Sequence, residues 1–186
     1  MFLIVGLGNP GPAYEVTRHN AGFLLLDRLA ERCSITLESA KNAIWGRGRV
    51  FGKDSVLLKP QTFMNLSGHA VAEFMKAYSV ETDSILVAYD DCDLPMGRLR
   101  IRKDGGSGGH KGINSIVEHI GGSGFPRIRL GVGRPAAGSL VDYVLSPFAE
   151  EETEALDAML DRGVASIEAV LSRGLDHAMN SFNSFR

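Results

Sequence analysis

A short apolar strand and a glycine-rich turn begin the chain, in the stretch Phe2 Leu3 Ile4 Val5 Gly6 Leu7 Gly8 Asn9 Pro10 Gly11. The continuous β-prone run that ends at glycine is typical of a buried strand. Tyr14 follows, and a helical pattern begins within Thr17 Arg18 His19 Asn20 Ala21 Gly22. This order predicts that an amide, Asn9, and an imidazole, His19, meet at one edge of a sheet. Such a pair indicates chemistry on a carbonyl group.

The glycines of the opening stretch also have the spacing G-x-G-x-x-G of a dinucleotide-binding turn. Pro10 and Pro12 occupy the positions where such a turn enters its helix, and no acidic residue ends a second strand about 20 residues later. We therefore interpret the glycines as a tight loop that points Asn9 into a cleft. A second glycine-rich segment, residues 105–112, lacks the G-K-[ST] ending of a P-loop, although its backbone N–H groups could hold an anion.

Strand and helix patterns alternate along the rest of the chain. We predict strands at residues 2–7, 48–51, 55–59, 85–89, 99–103 and 128–132, with a turn at 52–54, and helices at residues 20–33, 65–78 and 113–120. One long helix is predicted from the acidic residues 150–152 onward, and residues 181–186 are predicted to be a loose end. The alternation favours an α/β sandwich around a mixed sheet. With 186 residues and 44% hydrophobic content, we expect one domain, residues 1–186.

Positive charge is concentrated in the middle of the chain. Residues 98–134 carry 8 Lys/Arg and 2 Asp/Glu, whereas residues 135–186 carry 3 and 9. A basic block inside an otherwise acidic protein suits a face that binds phosphates, because neutralised phosphates release counterions. A solvated pair of strands with scattered charge is the alternative, and charge alone favours neither explanation.

The expected compartment is the cytoplasm. Cys33 and Cys92 have no metal-ligand spacing, and we expect free thiols in a reducing compartment. The apolar residues before Gly6 are too few for a signal region, and no apolar run approaches the ~20 residues that a bilayer span requires. We therefore expect a soluble protein that has no membrane partner.

His19 is the strongest candidate for a catalytic residue. A histidine can accept a proton from water near neutral pH while a carboxylate holds its other ring nitrogen. Asp90, at the carboxyl end of a predicted buried strand, is the natural partner. A capping or core histidine is the commoner explanation of an isolated imidazole, but the neighbouring Asn9 favours catalysis. Asn9 and Asn65 can supply amide donors for a carbonyl and its developing oxyanion.

The sequence contains no candidate for a protein nucleophile or a metal site. No serine or cysteine lies in a nucleophile elbow, and no His, Cys, Asp or Glu spacing is typical of a metal site. We therefore expect direct attack by water, with neither a covalent intermediate nor a metal ion.

Six groups of residues, in chain order, resemble the bacterial-type peptidyl-tRNA hydrolase family. They are Gly6 to Gly11 with Tyr14, Thr17 to Gly22, Lys59 Pro60 Gln61 Thr62 Phe63 Met64 Asn65 Leu66 Ser67 Gly68, Asp90 to Pro95 with Gly97, Gly108 Gly109 His110, and Phe125 Pro126 Arg127 with Gly131 to Pro135. The resemblance implies a monomeric α/β sandwich with a mixed, mostly parallel sheet and no cofactor. It also implies an esterase that releases tRNA from peptidyl-tRNA lost by stalled ribosomes.

The resemblance implies roles for individual residues as well. His19 would be the general base, Asp90 would stabilise its useful tautomer, and Asn9 would help to distinguish a blocked amino group from a free one. The residues that would line the site for the peptide and the tRNA end are Tyr14, Phe63 and Asn65. The basic residues that would contact tRNA phosphates, without reading sequence, are Arg98, Arg100, Arg102, Lys103, Arg127 and Arg129.

Lys111 departs from the family pattern. Where the family usually has Gly-Gly-His-Asn-Gly, this chain has Gly108 Gly109 His110 Lys111 Gly112. Lysine cannot accept a hydrogen bond, but it donates and carries charge. Its ammonium could assist the oxyanion or a phosphate, and near His19 it would disfavour the protonated imidazole. The hypothesis is that Lys111 preserves activity and moves the acid limb of the pH–rate profile to lower pH.

Two other functions compete with this one. The first is a non-catalytic RNA-binding relative, of the kind recruited to RNA processing in plant organelles, and the presence of Asn9, His19, Asn65 and Asp90 together disfavours it. The second is a small-molecule esterase that uses the same attack by water, and such a substrate would not require the basic block.

Overall fold

A seven-stranded mixed sheet lies at the centre of the computed structural model, which describes residues 1–184. Its strands are β1 (Phe2–Gly6), β2 (Glu38–Ala40), β3 (Ala43–Val50), β4 (Lys53–Pro60), β5 (Ile85–Asp91), β6 (Leu99–Arg102) and β7 (Arg127–Gly131), in the order β2-β3-β4-β1-β5-β7-β6. The four central strands β4, β1, β5 and β7 are parallel neighbours, and the outer pairings are antiparallel. The predicted α/β fold with a mixed sheet is confirmed.

Helices cover both faces of this sheet. They are α1 (Ala21–Arg32), α2 (Ser67–Tyr78), α3 (Lys111–Ile120), α4 (Leu140–Val144), α5 (Thr153–Arg173) and α6 (Leu175–Asn183). Successive residues of a strand point to opposite faces, so Ile4 packs in the cluster with α1, α5 and α6, and Val5 packs in the cluster with α2 and α3. Within residues 1–184, no helix has both the length and the apolar character that crossing a bilayer requires.

Two glycines allow α1 to lie directly on the backbone of β1 and β5. A Cβ atom on Gly22 would be 2.4 Å from the carbonyl oxygen of Ala88 and 2.5 Å from the nitrogen of Leu7. A Cβ atom on Gly6 would be 2.2 Å from the carbonyl oxygen of Gly22. Real Cβ atoms do not approach other atoms so closely, because packed interiors leave no space for such overlaps. Close packing of α1 on the strands therefore fixes the start of this helix at the ends of the strands. His19 lies directly before that start.

The hairpin of β3 and β4 is longer and tighter than predicted. Val50 pairs with Lys53, so the loop consists of Phe51 and Gly52 alone, with φ angles of 46° and 81°. Two consecutive positive φ angles are typical of the two-residue turns whose twist matches paired strands. The predicted turn at residues 52–54 is wrong because Lys53 already belongs to β4.

The C-terminal segment contains two helices where one was predicted. α5 ends at Arg173, and Gly174, with a φ of 88°, separates it from α6. The predicted loose end is wrong for residues 181–183, which belong to α6, and residues 185–186 lie outside the described part. Asn183 holds this helix against the edge strand β6: its Oδ1 accepts a hydrogen bond from the nitrogen of Ile101 at 2.8 Å, and its Nδ2 donates to the carbonyl oxygen of Ile101 at 2.9 Å. The side chain thus satisfies backbone groups that an edge strand otherwise exposes.

Candidate active site

A cleft of about 1100 Å³ opens where β1 and β5 end. All three predicted catalytic residues, Asn9, His19 and Asp90, lie in its wall. The wall also contains Tyr14, Phe63 and Asn65, which are predicted to line the site for the peptide and the tRNA end. Lys111, the residue that departs from the family pattern, lies there as well. The carboxyl ends of parallel strands are the usual position of ligand sites in α/β sheets. The structure therefore brings these sequence-predicted residues together.

Asp90 is held between two imidazoles. Its Oδ1 lies 2.9 Å from Nδ1 of His19 and 3.0 Å from Nε2 of His110. The carboxylate is only 3% exposed. Burial acts to raise the pKa of Asp90, but the interactions with His110 and His19 outweigh it, so the pKa lies well below its ordinary range. Asp90 is therefore a carboxylate that accepts hydrogen bonds at neutral pH.

The hydrogen bonds of His110 fix its tautomer. Its Nδ1 accepts from the backbone nitrogens of Gly112 at 3.2 Å and Ile113 at 3.3 Å, at the N-terminus of α3. Because Nδ1 is an acceptor, the ring proton is on Nε2 and is donated to Asp90. Asp90 likewise accepts the Nδ1 proton of His19, which leaves the lone pair of the His19 Nε2 available. An imidazole in this tautomer can accept a proton from a water molecule.

The same three side chains have a spacing that could hold a metal ion. One ligand atom from each of His19, Asp90 and His110 lies within 4.8 Å of the others. Sequence spacing did not indicate this group, because the three residues come from three distant segments of the chain. In the hydrogen-bonded arrangement both imidazole N–H groups point at the Asp90 oxygen, so a cation would have to displace two protons.

Backbone and amide contacts orient Asn9. Its nitrogen donates to Oδ1 of Asn20 at 2.8 Å, and its carbonyl accepts from Nδ2 of Asn20 at 3.0 Å. Its own Oδ1 accepts from the nitrogen of Met64 at 2.9 Å. With Oδ1 engaged, the Asn9 amide offers its Nδ2 as the hydrogen-bond donor for a ligand in the cleft.

The thiol in the cleft wall is a poor nucleophile. Cys92 follows β5 and lies in the cleft wall with Asp90. Partial burial, together with the charges of Asp90 and Asp91, raises the pKa of Cys92 to about 11. A cysteine with such a pKa stays protonated near neutral pH, and the thiolate is the reactive form. The expectation that no covalent intermediate forms stays a prediction.

The basic residues predicted to contact tRNA phosphates lie in different environments. Arg102 and Lys103 are exposed in the cleft wall, and Arg98 and Arg100 are exposed outside it. Arg129 is half-buried and bound to the Asp91 carboxylate, which raises the pKa of Arg129 against the opposing effect of burial. The exposed members of this set can contact a ligand directly.

Arg127 lies in the cleft wall but is buried there, and the prediction that it contacts phosphates stays a prediction. Only 1% of this residue is exposed. Its Nη1 donates to the carbonyl oxygen of Gly106 at 2.8 Å and its Nη2 to that of Ser123 at 2.9 Å. The guanidinium also lies 4.3 Å from the centre of the Phe125 ring. Arg127 therefore anchors the glycine-rich loop of residues 105–109 beside the cleft.

Sequence reasoning did not include His110 among the site residues, although the motif Gly108 Gly109 His110 contains it. The signal was the position of His110 directly before a helix, where a side-chain acceptor can cap the first N–H groups. Sequence reasoning also missed the apolar side of the cleft, where α4 contributes the exposed Leu140 and Val141.

Known proteins resemble this chain over nearly its whole length. The family model described as peptidyl-tRNA hydrolase matches residues 3–186. The peptidyl-tRNA hydrolase of Bacillus subtilis is 47% identical over 186 residues, and the match covers 99% of each chain. The peptidyl-tRNA hydrolase of Caldanaerobacter subterraneus is 43% identical, and the match covers 98% of this chain and 100% of that protein. The crystal structure of peptidyl-tRNA hydrolase from Acinetobacter baumannii superposes with a TM-score of 0.94 at 39% identity, covering 100% of this chain and 96% of that one. From these similarities and the shared fold, this chain belongs to the peptidyl-tRNA hydrolase family.

Proposed function

We propose that this protein hydrolyses the ester bond between the peptide and the 3′-terminal ribose of peptidyl-tRNA, and so returns tRNA from peptidyl-tRNA released by stalled ribosomes. The observation that carries the proposal is the 2.9 Å hydrogen bond between His19 and Asp90 in the wall of a cleft that Asn9 also lines. Family membership supports the substrate class, and the side chains support the type of reaction.

The proposed reaction uses His19 as the general base. A water molecule gives a proton to Nε2 of His19 while its oxygen forms a bond to the ester carbonyl carbon. Asp90 holds the Nδ1 proton and stabilises the imidazolium that forms. The tetrahedral intermediate then breaks its bond to the ribose 3′-oxygen, which takes the proton from His19. The products are a free peptide carboxylate and tRNA.

Amide donors account for the preference for a blocked amino group. Asn9 is held so that its Nδ2 can donate to a carbonyl of the peptide, and a free aminoacyl group has no such carbonyl next to its ester. A site built around a hydrogen bond discriminates strongly against a ligand that lacks the partner. Asn65 is a second donor in the cleft wall, and with the half-buried Tyr14 and the exposed Phe63 it lines the path of the peptide and the tRNA end.

The basic side chains account for tRNA binding. Arg102, Lys103 and Arg129 line the cleft on the side of β6 and β7. Across the pairing of these strands, Arg100 lies opposite Arg129, which extends positive charge beyond the cleft. Arg98 continues this charge at the start of β6. Contacts of this kind to phosphates hold an RNA without reading its sequence.

The same proposal includes a monomer that works in the cytoplasm without a cofactor, as one domain over residues 1–186. A single chain supplies every side chain of the cleft that the reaction uses, and the substrate is a product of cytoplasmic translation. Light scattering at assay concentration tests the oligomeric state, for which a mass of 20.1 kDa is expected.

The activity test compares an N-acetylated aminoacyl-tRNA with its unblocked counterpart. We expect release from the blocked substrate alone. We expect His19→Ala to lower the rate by roughly 10² to 10⁴, the usual contribution of a general base. His177→Ala, which removes an exposed imidazole on α6, is the matched control and should leave the rate unchanged. Tight tRNA binding without release from either substrate would instead favour the non-catalytic RNA-binding function.

A further inference from the structure

Helices α2 and α3 cross in backbone contact on the face of the sheet where Val5 packs. The nitrogen of Gly68 donates to Oγ of Ser115 at 3.0 Å. A Cβ atom on Gly68 would lie 2.1 Å from the Ser115 carbonyl oxygen, so only glycine permits this approach. The crossing therefore fixes the distance between nearby side chains on the two helices, among them His69 on α2 and His119 on α3.

Two exposed histidines meet beside this crossing. Nε2 of His69 on α2 lies 3.1 Å from Nε2 of His119 on α3, and the ring centres are 3.9 Å apart. Nδ1 of His119 lies 2.7 Å from the carbonyl oxygen of Ser115. A carbonyl only accepts, so Nδ1 carries the proton, and the lone pair of His119 is on the Nε2 that faces His69.

We propose that His69 and His119 form a surface site for a divalent transition-metal ion of borderline softness, such as Zn²⁺, Ni²⁺ or Cu²⁺. Two imidazole ligands at about 2.0–2.1 Å from a tetrahedral ion have their nitrogens roughly 3.3 Å apart, close to the separation observed here. A metal-bound histidine usually donates its second N–H to a carbonyl or carboxylate, as His119 does to Ser115.

Binding requires the two rings to move apart, because imidazoles bound to one tetrahedral ion have their centres further apart than the 3.9 Å observed. Without a metal, the Nε2 proton of His69 is donated to the lone pair of His119. When the ion binds, the His69 proton moves to Nδ1 through solvent, both Nε2 lone pairs face the ion, and water fills the remaining positions. Mg²⁺ and Ca²⁺ prefer oxygen ligands and are not expected to bind.

The site is separate from the catalytic group. His119 lies eight residues after Lys111 on α3, which corresponds to about 12 Å along the helix axis. The bound ion would cross-link two segments that are 50 residues apart in sequence. A ligand that binds only the folded chain stabilises it, so the metal is expected to raise the melting temperature.

The experiment uses the full chain without an affinity tag, titrated with NiCl₂ or ZnCl₂ in a non-coordinating buffer. Calorimetry should detect one site, and at a hundredfold excess over Kd the melting temperature should rise by roughly 5 to 10 °C. His69→Ala and His119→Ala should each weaken binding by about tenfold or more and reduce the thermal shift to about half or less. His177→Ala, which removes an exposed histidine elsewhere, should change neither measurement.

Cu²⁺ provides a spectroscopic check. Electron paramagnetic resonance should resolve coupling to two nitrogens in the unchanged protein and to at most one in either variant. His110→Ala distinguishes this site from the His19–Asp90–His110 group and should leave the binding in place. Binding that survives both surface variants, binding that disappears with His110→Ala, or a titration with no saturable site would each overturn the proposal.

Discussion

Asp90 and His110 interact through a hydrogen bond in which the histidine is the donor. Nε2 of His110 is 3.0 Å from Oδ1 of Asp90, and the opposite ring nitrogen of His110 caps α3. The start of a helix therefore sets the position of the carboxylate that orients His19. Oδ1 accepts from both imidazoles at once, so His110 holds in place the atom to which His19 is bonded.

The two roles of His110 can be separated with a shorter side chain. In His110→Asn, the amide oxygen can still cap the first N–H groups of α3, but the side chain is too short to reach Asp90 in the same way. We expect a hydrolysis rate lowered about 10- to 100-fold, the usual cost of losing an outer hydrogen bond of this kind, and a smaller loss of stability to urea than in His110→Ala, because only the hydrogen bond to Asp90 is lost. His110→Ala should also lose about 1 kcal/mol of stability, because the cap is removed.

Urea unfolding and steady-state hydrolysis, measured on both variants, check this prediction. An unchanged rate in His110→Asn would mean that Asp90 needs no second donor.

The depressed pKa of Asp90 makes stability depend on pH in the acid range. In the unfolded chain the carboxyl titrates near its ordinary value of about 3.9, whereas in the folded protein it stays ionised to lower pH. The unfolded state therefore binds more protons in that window, and stability falls as the pH decreases below about 4. Asp90→Asn removes this contribution, so its stability should change less steeply between pH 4 and pH 2 than that of the unchanged protein.

Chemical denaturation at several pH values measures both slopes. Asp83→Asn, which replaces an aspartate outside the cleft, is the control and should retain the slope of the unchanged protein. Equal slopes for Asp90→Asn and the unchanged protein would contradict the assignment.

Local pattern was sufficient for the parts of the fold that depend on neighbouring residues. The apolar run before Gly6 and the helical spacing after His19 predicted β1 and α1, and the carboxyl end of β5 predicted the position of Asp90. The break at Gly174 was not predicted, because apolar residues continue at helical spacing across it. Only the backbone φ of 88° distinguishes two helices from one.

Contacts between distant segments could not be predicted in the same way. Composition placed Arg127 with the other basic residues of the block, yet packing against Phe125 and two backbone carbonyls buries it. The role of His110 likewise depends on a hydrogen bond to a residue 20 positions away. Charge and residue type identify candidates, but burial decides which of them can contact a ligand.

Two arginines of the basic block should therefore respond differently to substitution. Arg102→Gln removes an exposed charge from the cleft wall, so it should weaken tRNA binding and reduce the slope of log K against log salt by about 0.7–0.9 for one lost phosphate contact. Arg127→Gln removes a buried guanidinium that donates to two backbone carbonyl groups, so its main effect should be a loss of about 1–3 kcal/mol in stability.

Binding titrations at several salt concentrations and urea unfolding distinguish these effects. Arg49→Gln, an exposed change on β3 outside the cleft wall, is the control for both. A salt slope that changes with Arg127 and not with Arg102 would reverse the assignment.

Lys111 offers the most direct test of a feature specific to this chain. It is the first residue of α3, it is exposed, and it lies in the cleft wall next to His110. The hypothesis made from the sequence is that a positive charge at this position disfavours a second positive charge on a nearby imidazole. We expect Lys111→Asn to keep activity at neutral pH and to move the acid limb of the pH–rate profile to higher pH. Lys76→Asn, on the exposed side of α2, should leave the profile in place, and an unmoved limb in Lys111→Asn would exclude electrostatic tuning by this lysine.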